Sequence, residues 1–150
     1  MTVKDEVPGS GGVAILDHIE FAVADAERSR HFYEAALRPF GMTVIIRVGP
    51  ERTRTGGTRY GLGRGGYPRI WFHDGEAPGS PMHVALATID RRVVDAFHVT
   101  ALAAGGTDNG APGIRDRYHP DYYAAFVLDP DGNNIEAVCQ EPDPEMSSRP

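Results

Sequence analysis

Two stretches of this sequence can be laid over each other without a gap. His18-Ile-Glu-Phe-Ala-Val-Ala-Asp25 and His83-Val-Ala-Leu-Ala-Thr-Ile-Asp90 share their histidine, an alanine and the final aspartate. Four further pairs match at the same offset, namely Phe32 with Phe97, Ala36 with Ala101, Leu37 with Leu102, and Gly41 with Gly106. A gapless series of this kind indicates one folding unit that occurs twice.

Each copy predicts a strand, then a helix, then several strands. The strand ends at Asp25 or Asp90, which can cap a helix whose apolar residues recur at helical spacing. Gly41 and Gly106 stand where a helix end favours a left-handed residue. The following strands are predicted at 42–48 and 69–73 in the first copy and at 122–128 and 134–138 in the second, with one or two more within 53–62 and around Thr107.

Strand parity predicts which side chains face the same way. Alternate residues of a strand share a face, so Ile19 and Phe21 form a surface for the helix while His18 points away from it. By the same parity His83 and Glu136 lie opposite the helix-packing faces of their strands. If the sheet curls, His18, His83 and Glu136 converge in its hollow.

Two imidazoles and one carboxylate form the facial triad that binds Fe(II), and this set also suits Mn(II), Ni(II), Co(II) or Zn(II). A single strand histidine is more often a hydrogen-bonded structural residue. The histidine recurs at matching positions, however, and Glu136 needs a partner in a strand that is otherwise apolar. We therefore predict one divalent metal ion bound by these three residues.

Composition excludes several classes of function. The formal net charge is −6 and the basic residues are scattered, which argues against nucleic-acid binding. No apolar run is long enough to span a bilayer, and the first residues lack the apolar core of a signal peptide. With a single cysteine, Cys139, no intrachain disulfide can form. We expect a cytoplasmic protein with no membrane contact, and flexible tails at 1–12 and 141–150.

Four motifs resemble the glyoxalase, bleomycin-resistance and extradiol-dioxygenase superfamily, also called vicinal oxygen chelate proteins. They are Leu16-Asp-His-Ile-Glu-Phe-Ala-Val-Ala-Asp25, His31-Phe-Tyr-Glu-Ala-Ala-Leu37 with Gly41, Met82-His-Val-Ala-Leu86, and Phe126-Val-Leu-Asp-Pro-Asp-Gly-Asn-Asn-Ile-Glu-Ala137. The resemblance implies an α+β fold in which two βαβββ modules, at 13–78 and 79–140, form a cupped mixed sheet with the helices outside. It also implies a homodimer in which a metal site can draw ligands from two subunits.

The resemblance implies that the metal holds adjacent oxygens of a small substrate, but the ligand set departs from some members. Glyoxalase I and methylmalonyl-CoA epimerase have a fourth ligand on the last strand of the first module. That strand here carries Trp71, which cannot ligate and would line the substrate pocket, and His73, which remains a possible ligand or substrate contact. A three-ligand site instead resembles ring-cleaving dioxygenases and fosfomycin-modifying thiol transferases, although the sequence shows no assembled cationic cradle for a phosphonate.

Other residues are candidates for the substrate pocket. The segment 118–123 resembles a lid, in which His119 and Tyr123 are predicted catalytic groups beside Glu136, and Tyr122 a substrate contact; the alternative is a loop whose aromatics pack the core. Glu20 shares the face of His18 and is expected to be solvated rather than a base. The glycine-rich stretch 61–66 precedes a strand rather than a helix, so we interpret it as a flexible loop and not a dinucleotide site.

Two functions remain open at this stage. The first is a metal-dependent lyase, isomerase or ring-cleaving dioxygenase that acts on a small oxygen-rich molecule. The second is a metal-free protein that sequesters a small molecule in the same hollow, as bleomycin-resistance proteins do. A thiol transferase is a weaker third hypothesis.

Overall fold

The structure, a computed structural model, describes residues 15–147, with side chains described up to residue 145. The tail predicted at 1–12 lies outside the described residues. The order of elements is β1 (Ile19–Ala22), α1 (Ala26–Ala36), β2 (Thr43–Val48), β3 (Arg59–Arg64), β4 (Tyr67–His73), β5 (His83–Thr88), α2 (Arg91–Ala103), β6 (Thr107–Ile114), β7 (Tyr123–Leu128), β8 (Asn134–Cys139) and α3 (Pro144–Ser147). Short 3-10 helices span Arg38–Phe40 and Pro50–Arg52.

The two long helices begin where their aspartates predict. The Asp25 side chain accepts hydrogen bonds from the backbone N–H groups of Glu27 and Arg28, each at 3.0 Å. Asp90 does the same for Arg92 at 2.9 Å. These bonds satisfy donors that the first helical turn leaves without a partner in the helix.

The repeat is present in the sheets, whose parallel strand pairs have the same register. The strand orders are β1-β4-β3-β2 and β5-β8-β7-β6, and in each sheet the first strand pairs in parallel with the last. Glu20 lies opposite Trp71 in the first sheet, and Ala85 lies opposite Glu136 in the second. The predicted α+β fold of two βαβββ modules is confirmed.

One hydrophobic core joins the two modules. It contains aromatic residues of both helices, such as Phe32 of α1 and Phe97 of α2, which are fully buried. The buried Tyr33 hydroxyl donates to the Asp129 carboxylate of the second module at 2.5 Å. Cys139 is buried in the same core. Among the strands within 15–147, none of one sheet pairs with a strand of the other.

Two expectations about glycines were wrong. Gly41 meets its expectation, because it is left-handed, with φ 74°, and ends the 3-10 helix that follows α1. The expectation for Gly106 is wrong, since the left-handed residue after α2 is Gly105. Gly106 is required for packing instead, because a Cβ there would lie 2.4 Å from a methyl carbon of Val127. The stretch 61–66 is not a loop: Gly61 and Gly63 lie in β3, and only Gly65 and Gly66 form the turn, with φ of 63° and 75°.

No helix within residues 15–147 is both long enough and apolar enough to cross a membrane.

Candidate functional site

His83 and Glu136 meet on the face of the second sheet that points away from the helices. His83 opens β5 and is exposed, whereas Glu136, in the middle of β8, is only 2% exposed. The His83 Nε2 atom lies 2.9 Å from the Glu136 Oε2 atom. The His83 ring stacks against Phe126 with 6.3 Å between ring centroids. The structure thus brings together two of the three predicted metal ligands.

The remaining polar atoms of this pair are held by hydrogen bonds. The His83 Nδ1 atom lies 3.1 Å from the backbone carbonyl oxygen of Asn134, an acceptor only, so Nδ1 carries the proton of this bond. The Tyr122 hydroxyl donates to the Glu136 Oε1 atom in a short hydrogen bond. The contact with Asn134 fixes the His83 ring, and the contact with Tyr122 fixes the Glu136 carboxylate. His83 Nε2 and Glu136 Oε2 are left facing each other.

His18 directly precedes the first sheet and does not join this pair within one chain. It is exposed just before β1, and its Nδ1 atom is 2.7 Å from the Asp17 carboxylate. Asp17 also accepts a hydrogen bond from the Tyr67 hydroxyl at 2.7 Å. The His18 contact, followed by that of Tyr67, lowers the pKa of Asp17. In the described part of one chain, no three His, Cys, Asp or Glu side chains are grouped as metal ligands.

Trp71 occupies the position in the first module that Glu136 occupies in the second. The guanidinium of Arg59 stacks on its ring, 3.7 Å from the ring centroid. Gly61 makes room for that ring, because a Cβ on Gly61 would lie 2.9 Å from it. The first module therefore presents an aromatic and cationic surface where the second presents a carboxylate.

His73 lies between two carboxylates. Its Nδ1 atom is 3.0 Å from Glu20 and its Nε2 atom is 2.6 Å from Glu76. Arg59 also holds Glu20, with its nitrogens 2.7 and 2.9 Å from the two carboxylate oxygens, and this ion pair lowers the pKa of Glu20. Glu20 is exposed, as expected from the sequence, and it is also bound by Arg59 and His73. Both ring nitrogens of His73 are engaged in these contacts.

The three residues predicted in segment 118–123, His119, Tyr122 and Tyr123, contact different parts of the protein. Tyr122 contacts Glu136, and burial followed by that hydrogen bond raises its pKa to about 12. Tyr123, predicted to be catalytic, points to the helix side, where its hydroxyl donates to Asp95 of α2 at 2.5 Å. His119 is exposed and its Nδ1 atom accepts the Asp121 backbone N–H at 3.0 Å. Tyr122 directly precedes β7 and Tyr123 begins it, and adjacent residues of an extended backbone face opposite ways.

Sequence reasoning missed two residues that hold predicted site residues in position, Asp17 and Arg59. Asp17 directly precedes His18, and a carboxylate beside a predicted ligand histidine is a signal that could have found it. Arg59 had no such signal, because β3 brings it across the sheet to residues distant in the chain.

Solved structures share this fold. A glyoxalase/bleomycin resistance protein from Albidiferax ferrireducens T118 is 29% identical, with a TM-score of 0.62, and the match covers 84% of this chain and 98% of that one. A glyoxalase/bleomycin resistance protein/dioxygenase family enzyme from Burkholderia phytofirmans PsJN is 22% identical, with a TM-score of 0.60 and coverage of 84% and 98%. Glyoxalase I from Zea mays is 22% identical, with a TM-score of 0.61; the match covers 86% of this chain but only 46% of the maize chain.

Among curated proteins, none matches this sequence at a significant level. The sequence model of the Glyoxalase/Bleomycin resistance protein/Dioxygenase superfamily matches residues 15–137, nearly the whole chain. The order of elements, the two equivalent sheets and this match agree with one another. The chain therefore belongs to the glyoxalase/bleomycin resistance protein/dioxygenase superfamily.

Proposed function

We propose that this protein is a divalent-metal-dependent enzyme that acts on a small oxygen-rich substrate, as a lyase, an isomerase or a ring-cleaving dioxygenase. The metal would be held by His18, His83 and Glu136. The observation that carries the proposal is the separation of 2.9 Å between His83 Nε2 and Glu136 Oε2.

With a neutral imidazole, these two atoms are both hydrogen-bond acceptors. Nδ1 of His83 donates its proton to Asn134, which leaves Nε2 as an acceptor, and an ionised carboxylate only accepts. Two acceptors this close need a cation between them, either a proton or a metal ion. A divalent metal ion would be held by His83 Nε2 and Glu136 Oε2 together, since imidazole nitrogen and carboxylate oxygen are both common ligands of such ions.

The third ligand would come from a second copy of the chain. The contact of His18 Nδ1 with Asp17 leaves its Nε2 atom for a metal, the same arrangement that His83 has with Asn134. A cavity of about 500 Å³ is lined by His18, just before β1, and by residues of β5, the strand that His83 begins; β1 and β5 are edge strands of their sheets. Leu16 beside His18 is 71% exposed and would be covered. We therefore propose a homodimer, which we place in the cytoplasm from composition alone.

Each residue of the site would have a distinct task. A bound metal ion supplies a Lewis acid that neutralises negative charge on substrate oxygens. Tyr122 holds one carboxylate oxygen of Glu136 and so leaves the other for the metal. Trp71 offers no ligand atom, and His73 has both nitrogens engaged, so three protein ligands would leave room for two substrate oxygens. His119 stays a candidate proton donor from the exposed loop.

Metal analysis of purified protein tests the proposal. Wild-type protein purified without chelators is expected to contain about one metal ion per chain, and Glu136→Gln is expected to lose most of it. Glu76→Gln is the matched control, because Glu76 also contacts a histidine nitrogen, at 2.6 Å, but lies outside the predicted ligand set. Equal metal content in wild type and Glu136→Gln would contradict the proposal.

A second candidate function has one observation in its favour. In the described part of a single chain no third ligand joins His83 and Glu136, and a proton between them would satisfy both. The protein would then be a metal-free binder that holds an aromatic molecule against Trp71 and Phe126. A protein that contains no metal and retains an aromatic compound through purification would favour this alternative.

A further inference from the structure

A second cavity, of about 310 Å³, lies on the first module and is rich in arginine. Arg52, Arg54 and Arg59 line it together with Glu20, His73 and Val48. The chain as a whole has a net charge of −6, so a small cavity surrounded by three guanidinium groups is unusually basic for this protein. Their side chains come from a loop and from β3, which only the fold brings together.

Two of these arginines have charge available for a ligand. Arg59 is committed to Glu20 through two short contacts. The nearest acidic oxygen to Arg54 is that of Glu76, at 3.8 Å, and the Arg54 side chain is 82% exposed. Within residues 15–147, Arg52 has no carboxylate within 4.0 Å, the limit for an ion pair. Arg59 offsets the charge of Glu20, the carboxylate in the cavity lining, and Glu76, beside the cavity, lies 2.6 Å from His73 and 3.8 Å from Arg54.

The loop that carries Arg52 and Arg54 is held by hydrogen bonds. The Thr53 hydroxyl donates to the Gly57 carbonyl oxygen at 2.6 Å, and the Thr55 hydroxyl donates to the Asp74 carbonyl oxygen at 2.8 Å. The Asp74 side chain accepts the Thr58 backbone N–H at 2.7 Å and the Ala26 backbone N–H, at the start of α1, at 2.9 Å. The loop is therefore tied to β4 and α1, which lowers the entropy lost when a ligand binds.

The cavity lies beside the proposed metal site. Glu20 lines the cavity and stands two residues after His18 on the same face of the chain, a rise of about 7 Å along a strand. A small molecule whose oxygens reach a metal at His18 can therefore reach the arginines with its other end.

We propose that this cavity binds a compact oxyanion, a carboxylate, phosphonate or phosphate group, through Arg52 and Arg54, and that the substrate carries such a group. The planar guanidinium offers paired N–H donors that match two oxygens of one anion. The evidence for an anion site is the cavity and its arginines. The inference that the anion belongs to the substrate rests on the proposed function.

Anion titration of the full-length protein tests the site independently of the metal. Inorganic phosphate, acetate and the neutral analogue acetamide are each titrated by calorimetry into protein stripped of metal by a chelator, so that no metal can bind the anion. Phosphate is expected to bind saturably, acetate more weakly, and acetamide not at all. Arg52→Gln with Arg54→Gln is expected to weaken phosphate binding by at least about tenfold. Arg52→Lys with Arg54→Lys, which keeps the charge, is expected to retain part of it.

The control pair is Arg38→Gln with Arg117→Gln, two exposed arginines elsewhere on the chain. Its phosphate affinity is expected to equal that of wild type, with unchanged circular dichroism in all variants. Absence of saturable phosphate binding to wild type, or an equal loss in both glutamine pairs, would overturn the anion site. Arginine-dependent phosphate binding in a protein that never contains metal would refute the proposed function and leave the anion site standing.

Discussion

Trp71 and Glu136 stand at the same position of their respective sheets, opposite Glu20 and Ala85 in parallel strand pairs of identical register. One module thus carries a carboxylate where the other carries an indole under a guanidinium. The part of the predicted site on the first module is therefore aromatic and cationic, and the part on the second module is anionic. This asymmetry supports three protein ligands rather than four.

Fluorescence of Trp71, the only tryptophan in the chain, should respond to metal if the first module of one subunit faces the second module of another. Addition of Co²⁺ or Ni²⁺ to metal-free protein is expected to quench the emission of wild type in a saturable way. Glu136→Gln should show no saturable quenching. Equal quenching curves for both proteins would contradict the proposed geometry.

A mixed dimer tests whether the ligands come from two subunits. His18→Ala and Glu136→Gln are each expected to lack metal. Co-expressed in equal amounts, they should recover about a quarter of the wild-type metal content, because half of the dimers are mixed and each of those has one intact site. If all three ligands belonged to one chain, mixing would restore nothing.

Tyr33→Phe should destabilise the fold. The lost hydrogen bond is buried, joins the two modules and ends on a carboxylate, so the free energy of unfolding should fall by about 1.5–3 kcal/mol. Tyr67→Phe serves as the control in urea denaturation, since its hydroxyl bonds to Asp17 at 2.7 Å at the surface and should contribute less than about 1 kcal/mol. Equal losses would show that burial of the Tyr33 contact has no effect.

The stability of the protein should depend on Tyr123 at high pH. Burial, followed by the hydrogen bond to Asp95, raises the pKa of Tyr123 from 10.0 to about 12. A raised pKa means that this phenol contributes stability below about pH 10 and loses it as the pH rises to about 12. Urea denaturation between these pH values should show a smaller loss of stability for Tyr123→Phe than for wild type.

Asp95→Asn provides a second measurement of the same contact. Without the carboxylate charge, the Tyr123 phenol should ionise at a lower pH, seen as earlier phenolate absorbance in a spectrophotometric titration. An unchanged titration curve would show that Asp95 does not contribute to the raised pKa of Tyr123.

Gly106→Ala should lower the free energy of unfolding, although Gly106 has a backbone conformation that other residues can adopt. Its Cβ would lie 2.4 Å from a Val127 methyl, 2.8 Å from the Phe32 ring and 2.9 Å from the Ala101 carbonyl oxygen. Overpacking of this kind costs about 1–3 kcal/mol. Thermal unfolding of Gly79→Ala, where a Cβ would meet nothing within 4 Å, should match that of wild type. A Gly106→Ala midpoint equal to that of Gly79→Ala would contradict the packing role.

The sequence alone determined the fold class and the strand faces of the predicted ligands. A repeat without gaps can only give two similar units, and alternation in a strand follows from backbone geometry. For this reason the caps at Asp25 and Asp90 follow from local patterns, whereas Tyr123, predicted with Tyr122 in the substrate pocket, points to α2.

The tertiary structure alone decided which side chains meet. Arg59 reaches Glu20 and Trp71 only through the pairing of β3 with β4 and of β4 with β1. His18 precedes the first sheet and Glu136 belongs to the second, so the proposed site that unites them requires a contact across the edges of β1 and β5. A local sequence pattern predicts the faces of a single strand. These contacts depend instead on the order of the strands and on the space between the sheets, and both are set by packing between residues distant in the chain.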